Sequence, residues 1–103
     1  MATTTHSILI ETSCCADPAK LCDRCRADRF AQLRGVAACR GEVWAMDIAR
    51  RRGRDVAWPT GSEAILAIAR LKVDDLARDH ELVEQLAGEL VRWAERWWSS
   101  APS

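Results

Sequence analysis

DDLARDHELVEQLAGELVRWAERWW, residues 74–98, is the stretch whose periodicity decides the fold. Leu76, Val83, Leu90 and Trp97 recur every seven residues, and Leu86 and Trp93 occupy the interleaved positions. That spacing predicts a helix from about Asp74 to Trp98, lying at a shallow angle along another helix. Asp79 interrupts the stripe at one of these positions.

Upstream, Ile65, Leu66, Ile68, Ala69 and Leu71 surround most of a segment from Glu63 to about Lys72. A helix apolar on most sides is expected at the centre of a core. Thr60-Gly-Ser-Glu63 ahead of it has the form of a capping box. Asp55 to Pro59 forms a connector in which Trp58 is expected to be buried or clamped.

A second helical segment is expected from about Val36 to Arg52, with Val36, Cys39, Val43 and Met46 as its inner stripe. Cys39 on that stripe reads as core filling. Gly41 weakens the segment by roughly 1 kcal/mol relative to alanine. The Arg50-Arg51-Arg52-Gly53 tail places cations at the carbonyl end and glycine as the stop. A first helix is expected over about 18–34, started by Asp17-Pro18 and closed by Gly35. Leu21, Cys22, Cys25, Phe30 and Leu33 give it a ragged inner face. Residues 7–11, SILIE, are β-prone but lack an evident strand partner.

These elements predict an all-α protein: one domain spanning 1–103, built as a small bundle of about four helices. Residues 1–17 form an N-terminal extended, cysteine-rich loop, 18–98 the bundle and 99–103 a tail. No apolar run approaches the length of a membrane span. The opening residues carry neither a basic leader nor a long apolar block, and an odd cysteine count suits a reducing compartment, so a cytoplasmic location is expected. Thirteen arginines against two lysines, with abundant alanine, suggest a bacterial source with a GC-rich genome.

The chemistry concentrates in CCADPAKLCDRC, residues 14–25, which holds four of the five cysteines. Cys22 and Cys25 lie three apart at a helix start, so their thiols leave on nearly one face. Positive potential at a helix start favours thiolates over thiols. Zinc takes about four sulfur or nitrogen ligands in a tetrahedron. The expected metal site is therefore Cys14, Cys15, Cys22 and Cys25, holding a structural zinc. Adjacent residues tend to point apart, so His6 or Cys39 stands as a replacement for Cys14 or Cys15. An iron–sulfur cluster, or thiols without a metal, remain alternative occupants, and the vicinal thiols also fit a redox or metal sensor.

Charge is unevenly spread although the net is zero. Residues 18–54 balance at +6, and residues 55–98 at −4. Arg50, Arg51, Arg52 and Arg54, with the arginines from residue 24 onward, form a basic half that could neutralise phosphates of a nucleic acid. The rhythm of residues 68–79, IARLKVDDLARD, loosely resembles a helix-turn-helix, but its second helix would present acids to a polyanion. His80 and Glu84, one turn apart, read as a surface ion pair. Trp93 and Trp97 continue the inner seam while Trp98 faces another way, which points to a protein partner or a dimer. No nucleophile–base–acid set and no glycine-rich cofactor loop is present, so the chain is not expected to be an enzyme. The leading expectation is a small intracellular adaptor or regulatory protein folded by a metal.

Overall fold

The computed structural model describes residues 15–53, 58 and 63–100. His6, the SILIE stretch, Cys14, Arg54 and the Thr60–Ser62 part of the expected capping box lie outside the described residues. Among the described residues the architecture is all-helical, with no strands and three helices rather than four: α1 (Asp23–Arg52), α2 (Glu63–Val73) and α3 (His80–Ser100).

The two helices expected over 18–34 and 36–52 are one continuous helix of 30 residues, about 45 Å long at 1.5 Å per residue. Gly35 does not end it. Glycine costs a helix interior roughly 1 kcal/mol, and packing on both sides of it outweighs that. Phe30 and Leu33 before it, and Ala37 after it, all join the core. The helix stops where the arginine-rich tail predicts. Gly53 adopts φ 82° and its N–H reaches back to the Ala49 carbonyl at 2.8 Å.

Asp17-Pro18 starts only a single turn. The Asp17 carboxylate accepts the Ala19 N–H at 2.9 Å, and its carbonyl accepts that of Lys20 at 3.0 Å. The chain then extends, because the Leu21 N–H goes to the side chain of Asp79 instead of an upstream carbonyl. Cys22, at φ −76° and ψ 169°, becomes the N-cap of α1.

The inner face of α1 is not the expected stripe. Ala37, Gly41, Trp44 and Ala45 are buried, whereas Val36, Val43 and Met46 are 40, 54 and 39% exposed and Cys39 is also exposed. Gly41 explains the inversion. A Cβ built there would lie 2.2 Å from the Leu90 carbonyl oxygen and 3.3 Å from the Ala94 nitrogen. The small residues let α1 approach the backbone of α3 more closely than a valine-and-methionine face could.

α3 is the central element, a place the sequence pattern assigns to the 63–72 segment. Leu82, Leu86 and Leu90 are essentially inaccessible, and Ala87 and Ala94 complete the face. α2 offers Ile65, Ala69 and Val73 to this core but leaves Leu71 72% exposed. The Arg26–Asp79, Arg34–Glu89 and Gly41–Leu90 contacts show that α1 and α3 run parallel in direct contact, with α2 packed mainly on α3.

The aromatic end is clamped as expected at Trp58, but Trp98 does not face outward. Trp58 lies edge-on to Trp44 with centroids 5.3 Å apart, and 5.5 Å from Trp98. Trp93 is half-buried, with its indole N–H donated to the buried carboxylate of Glu89 at 2.8 Å.

Part of the charge asymmetry is consumed within the fold. Arg26 meets Asp79, Arg34 meets Glu89 and Arg40 meets Asp75, each an arginine of α1 against an acid of the later half. Glu84 is held directly in the fork of Arg70, and His80, expected as its ion-pair partner, adds only a weaker attraction from farther off. No helix among the described residues is long and apolar enough to cross a membrane.

Candidate metal centre

The N-cap conformation of Cys22 and the first turn of α1 place Cys22 and Cys25 together, as the three-residue spacing predicts. The preceding turn brings Cys15 back to them. The Sγ atoms of Cys15, Cys22 and Cys25 all lie within 4.8 Å of one another. Cys25 is buried, Cys15 half-buried and Cys22 exposed.

Backbone amides point at two of the sulfurs. The Cys22 N–H donates to Cys15 Sγ at 3.2 Å, and the Cys25 N–H to Cys22 Sγ at 3.5 Å. Such donors steady negative charge on sulfur and fix the direction of its remaining lone pairs. A tetrahedral ion with bonds of ~2.3 Å would hold its sulfurs about 3.8 Å apart. The observed grouping therefore reaches that geometry by side-chain adjustments of about an ångström. These thiols are suited to share a metal ion.

Of the residues predicted for the site, Cys15, Cys22 and Cys25 are brought together. Cys14 and His6 lie outside the described residues. Cys39 sits on the outward face of α1 and is not in the group, so it is neither the core filler nor the replacement ligand the sequence suggests. The basic residues Arg50, Arg51 and Arg52 are exposed in the last turn of α1, at the other end of the helix.

A two-residue hub beneath the sulfurs is absent from the sequence reading. Asp79 is only 3% exposed. Its carboxylate accepts the Leu21 N–H at 2.8 Å, the Leu82 N–H at 2.9 Å and the Arg26 Nε–H at 2.9 Å. Arg26 also donates to the Leu21 carbonyl at 2.6 Å. The Arg26 guanidinium, helped by the two amides against the cost of burial, holds the Asp79 carboxyl well below the usual carboxylate range. Asp79 thus caps α3, pairs with α1 and anchors the residue preceding Cys22. The legible signal was Asp79 immediately before His-Glu-Leu, an N-cap followed by an acid in the first turn.

An open cleft of about 450 Å³ lies over this junction, lined by Cys15, Cys22, Lys20 and Arg26 from one side and by Asp79, His80 and Glu81 from the other. No family model, curated protein or solved structure matches this chain.

Proposed function

We propose that the chain is a small metal-stapled helical protein, in which Cys15, Cys22 and Cys25 hold a structural zinc and the folded surface serves contacts with other proteins. The observation that carries the metal reading is the convergence of three sulfurs, two of them already receiving backbone N–H donors. Sulfur-rich tetrahedral sites favour zinc over hard cations. The loop from Cys15 to Leu21 has little apolar burial of its own, with Leu21 its one buried residue. Binding energy at the thiols would become folding energy for that segment.

The contact role is supported by the outward stripe of α1. Val36, Val43 and Met46 follow the spacing of a helix face that is normally covered, yet remain open. Recognition of nucleic acid receives less support, because Arg26, Arg34 and Arg40 are engaged by acids of the same chain.

The test is metal content together with thiol accessibility in protein purified without added metal. One zinc per chain, with Cys15, Cys22 and Cys25 shielded from alkylation until a chelator is added, is the expected result. A metal-free chain whose thiols all react at once removes the reading.

A further inference from the structure

Among the described residues, three sulfurs leave a tetrahedral ion one donor short. The cleft over Cys15 and Cys22 contains three other side chains with lone pairs to offer: Asp79, His80 and Glu81. Asp79 is spent, its two oxygens divided among the Leu21 amide, the Leu82 amide and Arg26. Glu81 faces the Arg26 guanidinium at 3.5 Å. His80 is exposed, and the neighbour four residues on, Glu84, is held by Arg70. His80 is also the first residue of α3, directly after Asp79, and Asp79 is hydrogen-bonded to the residue preceding Cys22. The backbone bearing the imidazole is thus pinned beside the backbone bearing the thiols.

We propose that His80 supplies the fourth ligand, completing a three-cysteine, one-histidine centre with Cys15, Cys22 and Cys25; this rests on the metal reading given above. The imidazole stands outside the 4.8 Å sulfur group and lines the same cleft as Cys15 and Cys22. Imidazole nitrogen and thiolate sulfur are the two donors zinc most often combines. Three thiolates around a dication leave one negative charge, where four would leave two. Lys20 and Arg26, lining the same cleft, face that residual charge. The consequence is architectural. A site made only of N-terminal cysteines would staple a loop to the helix it precedes, whereas a site that includes His80 joins the start of α1 to the start of α3, across the whole of α1 and α2.

The test uses Co²⁺ as the probe on the full chain, titrated into the metal-free protein and followed by its ligand-field and sulfur-to-metal charge-transfer bands. For the parent, bands of a three-sulfur, one-nitrogen tetrahedral site are expected. His80→Ala should change the ligand-field bands and weaken Co²⁺ and Zn²⁺ binding by more than the roughly 10–100-fold that losing an outer-shell partner costs. His80→Cys should retain tight binding and convert the spectrum to a four-sulfur type, which guards against a variant that simply folds poorly. Cys14→Ser and His6→Ala should leave the bands in place. Tetrahedral bands that ignore His80→Ala and respond to Cys14→Ser or His6→Ala overturn this assignment while leaving the metal reading intact. A parent chain that binds neither Co²⁺ nor Zn²⁺ overturns both.

Discussion

The carboxylate of Asp79 and the guanidinium of Arg26 meet side-on, Nε to Oδ1 at 2.9 Å and Nη2 to Oδ2 at 3.3 Å, between the first turns of two parallel helices. Removing one charge of a buried pair leaves the other, here the Arg26 guanidinium, without compensation for its lost hydration. Asp79→Asn keeps the cap but removes the charge pair, and should cost on the order of 3 kcal/mol at neutral pH. The pH dependence follows from the direction of the shift. The folded-state carboxyl titrates below its unfolded value of about 3.8, so its contribution is complete above about pH 4 and is lost as the pH falls further. Chemical denaturation from pH 7 to 3 should show a constant gap between the parent and Asp79→Asn down to about pH 4, which then narrows without closing by pH 3. Curves that stay parallel throughout would mean that the pair does not supply the difference.

Gly35 and Gly41 make an internal control for one another. Both sit inside α1, yet a Cβ at Gly35 meets nothing within 4 Å and one at Gly41 strikes the Leu90 carbonyl. Gly35→Ala should raise stability by about 0.5–1 kcal/mol through helix propensity. Gly41→Ala should lower it by about 2 kcal/mol, since backbone must move to admit the methyl group. Thermal unfolding of the two variants decides the matter, and equal shifts of the same sign would refute the close crossing of α1 and α3.

The inverted face of α1 has an equally direct check. Val43→Asp falls on the open stripe and should change stability by no more than about 0.5 kcal/mol. Ala45→Asp, at a fully buried position two residues on, should prevent cooperative folding, because an unpaired carboxylate would enter the core. Circular dichroism melts in parallel suffice to distinguish the two faces.

Removing the metal should act locally first. Cys22→Ser with Cys25→Ser, or chelation of the parent, should raise amide hydrogen exchange over residues 15–26 well before it disturbs Leu86 or Leu90. Uniform protection across both regions, with and without chelator, would show that the thiols do not hold the segment.

Helicity, the body of the last helix and the pairing of Cys22 with Cys25 were all legible from spacing, although that helix begins at His80, capped by Asp79, and not at Asp74. So were the stop at Gly53 and the burial of Trp58. What misled was size. Large apolar side chains were assigned inward on the second half of α1, but close helix contact selects the smallest residues, so Ala37, Gly41 and Ala45 went in and Val43 stayed out. Gly35 read as a terminus because glycine often marks one, whereas long-range packing on either side carried the helix through. Asp79 read as a flaw in a heptad because its partners, Arg26 and the Leu21 amide, are remote in sequence and invisible to a local pattern.

The indole trio of Trp44, Trp58 and Trp98 gathers three separate parts of the chain into one chromophore. Trp44 lies about 33 Å along α1 from Cys22, at 1.5 Å per residue. With the exposed Cys39, which lines the same pocket as Trp44, replaced by serine, reagents that attack sulfur work at one pole of the molecule while its ultraviolet emission originates at the other. Any fluorescence change on thiol alkylation would then measure how rigidly the long helix transmits a disturbance from end to end, with no dye attached.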